Sequence, residues 1–207
     1  MIHICDYGIG NVQSVLNAFS RIGVSAEIVS DPKKIDSADG LLVPGVGAFG
    51  DAVNMLRNKG FEQPVVNFAQ SGKPVLGVCV GMQLLANIGT EFGEHRGLGL
   101  IDGTVERISF PQGEELVLPH MGWNALQTSS DEEIVAGLPG DKTCYFAHSF
   151  QFIPDKKSVI VATVDYGVEI AACVAQGNVF GAQFHPEKSQ EVGLRFLSNF
   201  AEKCARC

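Results

Sequence analysis

The stretch Gly77-Val78-Cys79-Val80-Gly81-Met82-Gln83 sets a nucleophilic thiol between glycines two residues to either side. Residues 74–78 before it form a continuous apolar run of strand length, and Met82, Leu84, Leu85 and Ile88 after it follow helical spacing. A nucleophile on a sharp strand-to-helix turn has the form of a nucleophile elbow. Glycine suits the flanking positions because a Cβ there would clash in the turn. The expected geometry holds Cys79 at the end of a sheet, near a helix N-terminus whose partial positive charge favours thiolate over thiol. It also aims the Val80 N–H at an oxyanion forming beside the sulfur. A cysteine in an apolar run by itself reads as a small buried residue. The glycines and a nearby base are what separate the two readings.

The chain offers His3, His95, His120, His148 and His185 as bases. His185 stands in Gln183-Phe184-His185-Pro186-Glu187, after a strand pattern and before the last helix pattern. That is where reactive groups of open α/β sheets gather. Glu187 can accept the imidazole N–H, fix the tautomer and stabilise the imidazolium. His148, in His148-Ser149-Phe150, is the rival base, and His3 reads as structural. The run Pro44-Gly45-Val46-Gly47-Ala48-Phe49-Gly50 matches G-x-G-x-x-G between a strand and a helix. A dinucleotide site is disfavoured, because the motif follows the third strand and no acid stands near Val65, ~20 residues on. A Gly-rich turn at a strand end can instead present backbone N–H groups to a carboxylate or oxyanion.

The elements that must position these groups alternate. Strand patterns at Ile2–Cys5, residues 25–29, Gly40–Val43 and residues 74–78 are interleaved with amphipathic helices. One helix carries Val12, Val15, Leu16, Phe19 and Ile22 with Gly23 as its stop, and another carries Phe49, Ala52, Val53 and Leu56. This predicts an open, mostly parallel twisted α/β sheet flanked by helices. Between residues 99 and 184 the pattern shifts to short β-like runs at 117–118, 123–126, 144–147, 159–163, 170–175 and Val179–Ala182. Gln176-Gly177-Asn178 reads as a hairpin turn, so an antiparallel portion is added in the C-terminal half. A final helix carries Val192, Phe196, Leu197 and Phe200. No repeat or linker divides residues 1–207, which are expected to form a single domain.

Composition bounds the function. The net charge of −8 argues against a nucleic-acid surface and against a polybasic membrane patch. Hydrophobic residues at 45% are enough for a packed core. The 24 glycines, against a typical ~7% of residues, signal many tight turns. Cys5, Cys79, Cys144, Cys173, Cys204 and Cys207 lie mostly in apolar runs, and the first residues read as no secretory leader. A reducing, cytoplasmic compartment is expected. No ligand set for a metal or an organic cofactor is visible.

Taken in order, Pro-Gly-Val-Gly, Gly-Val-Cys-Val-Gly-Met-Gln and Gln-Phe-His-Pro-Glu-Lys-Ser resemble the triad (class I) glutamine amidotransferases. Asp6-Tyr7-Gly8-Ile9-Gly10-Asn11, Pro119-His120-Met121-Gly122-Trp123-Asn124 and Tyr145-Phe146-Ala147-His148-Ser149 are similar to the branch formed by glutaminase subunits of imidazole glycerol phosphate synthases, of histidine biosynthesis. The resemblance runs from Asp6 to the C-terminal helix. It implies hydrolysis of L-glutamine to glutamate and ammonia through a Cys79 thioester, with His185 as acid and base and Glu187 orienting it. It implies an oxyanion site from Val80 and the 44–47 turn, and glutamine contacts at Gly45, Val46, Gly47, Val80, Gln83, Ser149 and Phe150. The family commonly has Leu where Val80 stands; the backbone carries the role, so the difference is expected to be harmless.

The resemblance further implies a heterodimer. Ammonia would pass to a (β/α)8-barrel cyclase subunit that converts a phosphoribulosyl formimino ribonucleotide to imidazole glycerol phosphate and an aminoimidazole carboxamide ribonucleotide. Gly10, Asn11, His120, Met121, Trp123 and Asn124 would face that partner, with Trp123 as a rigid anchor. The partner carrying its ligand would raise activity, for instance by rotating a peptide of the 44–47 turn. Other amidotransferases, such as those serving anthranilate or pyridoxal phosphate synthesis, are the nearest alternatives. A catalytically dead scaffold is a second, and a redox or metal motif at Cys204-Ala-Arg-Cys207 a third.

Overall fold

Four short strands are buried along their whole length, which is the signature of a sheet covered on both faces. In the computed structural model, which describes residues 1–113, 116–128 and 132–206, these are β1 (Ile2–Cys5), β3 (Gly40–Val43), β4 (Val75–Val78) and β14 (Val179–Ala182). With β2 (Ala26–Val29), β9 (Gln127–Thr128), β12 (Ile160–Asp165) and β13 (Glu169–Gln176) they form an eight-stranded sheet of order β2-β1-β3-β4-β14-β13-β12-β9. The strands from β2 to β14 pair in parallel, and β14-β13-β12-β9 pair antiparallel. The mixed sheet expected from the sequence is therefore present, and the hairpin turn at Gly177 (φ +60°) joins β13 to β14.

Helices cover the sheet. Helix α1 (Val12–Arg21) buries Val15, Ala18 and Phe19, and the Asn11 side chain accepts from Ser14 N–H at its N-terminus. Helix α2 (Phe49–Asn58) buries Phe49, Ala52, Val53 and Leu56 as its spacing predicted. The helix α3 (Glu62–Gln70) had no expectation, although Val65, Phe68 and Ala69 follow helical spacing and are buried. Helix α5 (Gln190–Cys204) buries Val192, Phe196, Leu197 and Phe200. The Phe184 ring packs edge-on against Phe196 at 5.0 Å, tying α5 to the residue before His185.

Smaller sheets stand beside the main one. Strands β8 (His120–Ala125) and β10 (Thr143–His148) pair antiparallel. Strands β5 (Ile88–Gly89), β6 (His95–Arg96), β7 (Gly103–Arg107) and β11 (Phe150–Pro154) form a four-stranded sheet of order β11-β7-β5-β6. Expectations at two places are corrected. Residues 117–118 are not a strand; Val117 is 80% exposed and β8 begins at His120. The helix after Cys79 is a single turn, α4 (Val80–Gln83). The carbonyls of Leu84, Leu85 and Ala86 are taken by N–H groups of residues 98–101 instead of continuing a helix, and Ile88 belongs to β5. Apolar spacing at 82, 84, 85 and 88 thus serves a folded-back segment.

Among the described residues no helix is long and apolar enough to cross a membrane. Cys5, Cys79, Cys144, Cys173 and Cys204 are all buried. Cys207 lies outside the described residues, and with it the Cys204-to-Cys207 pair. Because Phe196 is fully buried against the segment leading to His185, Phe196→Ala is expected to cost about 3–5 kcal/mol in urea unfolding. A loss under about 1 kcal/mol would contradict this packing role.

Candidate active site

Cys79 follows β4 with φ +55° and ψ −114°. Such a conformation in a non-glycine residue costs on the order of 1–3 kcal/mol and persists only where surrounding contacts enforce it. Here those contacts are backbone. Cys79 N–H donates to Ala182 O at 2.7 Å, extending the β4–β14 pairing by one residue. A Cβ on Gly81 would stand 1.9 Å from Val43 O, and one on Gly77 would stand 2.4 Å from Gly81 O. The glycines at i−2 and i+2 are thus required by close approach of β3 and of the turn itself. Val80 opens α4, so its N–H has no partner within that helix.

The 44–47 turn leaves β3 beside this elbow. A Cβ on Gly45 would come within 2.8 Å of Gly81 N and 3.1 Å of the Tyr7 hydroxyl. Tyr7 is fully buried and its hydroxyl donates to Pro44 O. Gly10 (φ +107°) packs on Pro44 as well. The loop after β1 therefore braces the turn. Gly45 is buried and, against expectation, does not line the cavity of about 290 Å³ that Val46 and Gly47 line together with Cys79, Val80, Gln83, Ser149, Phe150 and His185.

His185 enters from β14, the strand on the other side of β4. Its N–H donates to Tyr145 O at 2.9 Å, and its carbonyl accepts from the Ser189 hydroxyl at 2.7 Å. Its Nδ1 lies 2.9 Å from Glu187 Oε1, both side chains being almost wholly buried. A carboxylate can only accept here, so Nδ1 carries a proton and Nε2 is left for the hydrogen bond that the ring makes with Cys79. Burial alone pushes the imidazolium down, but Cys79 and Glu187 outweigh it and raise its pKa to about 9. By contrast, burial pushes the Cys144 thiol up to about 12, and that of Cys5 higher still. A sulfur and a carboxylate on opposite nitrogens of one imidazole can generate a thiolate, hold a proton and return it.

The other expected residues fall into place as follows. His148 lines the cavity, but both of its nitrogens are occupied, by His120 at 3.0 Å and by Phe150 O at 2.8 Å, so it is not the base for Cys79. His3 is buried within β1 and does not line the cavity. Of the residues expected to face a partner, Met121 and Trp123 are 62% and 47% exposed on the outer side of β8, so Trp123 is not a core residue. His120 departs from that expectation: it is buried, stacked between Phe146 and Tyr166. Asn124 is half-buried beside it, and Asn11 caps α1.

Other groups near the sulfur were missed by the sequence reading. Gln183 Nε2 points at Cys79 Sγ from 3.9 Å and its Oε1 accepts from Gln83 at 3.0 Å. Glu91 lines the cavity, with Oε2 accepting from Phe49 N–H at 2.8 Å. Lys188 also lines it and sits over the Tyr145 ring, 5.5 Å from the centroid. Gln183 stood within a motif already noted; an isolated Glu91 carried no signal.

The sequence pattern of the family described as glutamine amidotransferase class-I matches residues 3–204. This chain belongs to that family. As a class-I amidotransferase it is 46% identical over 207 residues to "Imidazole glycerol phosphate synthase subunit HisH" of Syntrophotalea carbinolica, covering 98% of this chain and 100% of that protein. It is 45% identical over 206 residues to the protein of the same name from Geobacter sulfurreducens, covering 97% and 98%. Among solved structures, a crystal structure of a glutamine amidotransferase superposes with a TM-score of 0.76 at 24% identity, over 99% of this chain and 98% of that one. The last comparison bears on the fold.

The His185 geometry gives a pH test. Its pKa is raised above the unfolded value of about 6.5, so the stabilisation it supplies is complete below that pH and is lost as pH rises through about 9. Glu187→Gln removes a partner that raises it. NMR titration of the His185 ring is expected to move to a lower midpoint in the variant, and the stability loss with it. An unchanged midpoint would contradict the assigned role of Glu187.

Proposed function

We propose that residues 1–207 act as one glutaminase domain that hydrolyses L-glutamine and delivers the ammonia to a cyclase subunit. The observation that carries this reading is the sulfur–imidazole–carboxylate series of Cys79, His185 and Glu187 at the cavity, beside Val80 and the 44–47 turn. In this reaction the Cys79 thiolate attacks the side-chain amide carbon of glutamine. The oxyanion rests on the Val80 N–H and on a backbone N–H of the 44–47 turn; one such donor is typically worth about 3 kcal/mol. His185, having taken the thiol proton, gives it to the departing ammonia and leaves a γ-glutamyl thioester. It then takes a proton from water, and hydroxide attack releases glutamate and regenerates the thiol. Glu187 keeps Nε2 turned to the reacting atoms and stabilises the imidazolium.

Ser149, Phe150 and the glycine turn supply the substrate cavity's walls. Glu91, with one oxygen already held by Phe49 N–H, offers the other to the substrate ammonium. The names of the two relatives support delivery of the ammonia within an imidazole glycerol phosphate synthase. In that assignment ammonia passes to a (β/α)8-barrel cyclase, where it is consumed in forming imidazole glycerol phosphate and an aminoimidazole carboxamide ribonucleotide. A protected route suits this chemistry, because ammonia in neutral water is mostly protonated and non-nucleophilic. The exposed Met121 and Trp123 on β8 supply an apolar docking face for the cyclase.

Glutamate release from glutamine, followed with and without the cyclase subunit and its nucleotide ligand, tests the reading. Activity is expected to rise with both present and to vanish in Cys79→Ala. Glutamine turnover retained by that variant would overturn it. Trp123→Ala is expected to weaken cyclase binding by about 2 kcal/mol, roughly 30-fold, in titration calorimetry. Unchanged affinity would remove Trp123 from the interface.

A further inference from the structure

Behind the cavity wall runs a polar chain whose directions are all set by one backbone carbonyl. Phe150 O accepts from His148 Nδ1 at 2.8 Å and from Gln83 Nε2 at 3.1 Å. A carbonyl offers no proton, so His148 Nδ1 must carry one. Burial pushes the pKa of both His148 and His120 down to about 4, so both rings are neutral at pH 7. Neutral His148 must then accept at Nε2. The atom 3.0 Å from it is His120 Nδ1, which therefore donates. His120 Nε2 is left as an acceptor, and the Asn124 amide nitrogen donates to it at 2.8 Å. All four ring nitrogens of His120 and His148 are thereby paired, with both imidazoles in the Nδ1–H form.

His120 is held for this role. Its ring is stacked on Phe146 at 4.8 Å and on Tyr166 at 4.1 Å. A phenyl ring would fill the same slot, so packing alone does not call for an imidazole. The carbonyl at the end of the chain belongs to a segment that walls the cavity, with Ser149 and Phe150 both lining it. Its other restraint, Gln83, reaches on to Gln183 and the Cys79 sulfur.

We propose that Asn124, His120 and His148 are positioning residues that lock the Phe150 carbonyl and so fix the 149–150 wall against which glutamine binds. The consequence for glutamine rests on the glutaminase reading above; the tautomers do not.

Spectra of the full chain with ¹⁵N-labelled histidine read the tautomers directly. His120 and His148 are both expected as Nδ1–H; the Nε2–H form at His148 would overturn the lock. The functional arm follows alkylation of Cys79 by a diazoketone analogue of glutamine, resolved into apparent affinity and maximal rate. His120→Phe keeps the stack and removes the donor. It is expected to weaken affinity about tenfold, with the maximal rate changed much less. His120→Asn returns a donor where Nδ1 stood and is expected to recover most of that loss. Wild-type affinity in His120→Phe would overturn the proposal, as would a defect of equal size in His120→Asn. If His120→Phe does not fold, the wild-type spectra and His120→Asn decide. A wild type that the analogue fails to label would sink the glutaminase reading, while the tautomers would still judge the lock.

Discussion

The reactive cluster depends on the in-register parallel pairing of three neighbouring strands. Val43 of β3 lies opposite Gly77 of β4, and Ala182 of β14 lies opposite Val78. All three strands therefore end at one edge of the sheet, which is where open α/β sheets present their ligands. From that edge the chain supplies the glycine turn, the thiol and the imidazole in turn, although more than a hundred residues separate the second from the third. Close approach is the cost of this arrangement. Gly77 and Gly81 have room for hydrogen only, and Cys79 is held at a positive φ by the backbone on either side. Strain at Cys79 is thus borne by neighbouring strands β3, β4 and β14, which are buried along their whole length and have little freedom to relax.

Environment then divides the labour among chemically identical side chains. His120, His148 and His185 are all buried. Burial drives the first two to neutrality, helped at His148 by the neighbouring His120 and His185, and each finds neutral hydrogen-bond partners. His185 feels the same penalty, yet the sulfur on one nitrogen and the carboxylate on the other keep it charged. Opposite displacement of like groups by their surroundings is how one fold separates a proton carrier from a scaffold. Burial likewise pushes the thiol pKa of Cys5, Cys144 and Cys173 up and keeps these sulfurs protonated.

The sequence made legible what local pattern controls. Runs such as Val-Phe-Gly-Ala at β14 and the apolar spacing of α1, α2 and α5 are strong because burial on both faces or on one stripe leaves little choice. The Cys79 elbow was legible because its glycines serve a turn made by adjacent residues. What the sequence concealed depends on distant contact. The helix after Cys79 stops after one turn because residues 98–101 claim its carbonyl neighbours. His120 looked like a surface residue beside Trp123, but alternation along β8 turns it inward to stack on Tyr166. Gln183 gives no local sign that its amide will reach the sulfur, since Gln83 sets that direction across a hundred residues.

A covalent intermediate is the most direct test of the account. Rapid acid quenching of the enzyme turning over glutamine, followed by peptide mass spectrometry, would read it. The account predicts a γ-glutamyl adduct on the peptide bearing Cys79 and on no other cysteine. Glutamate formation with no adduct at Cys79, or with the adduct elsewhere, would contradict it.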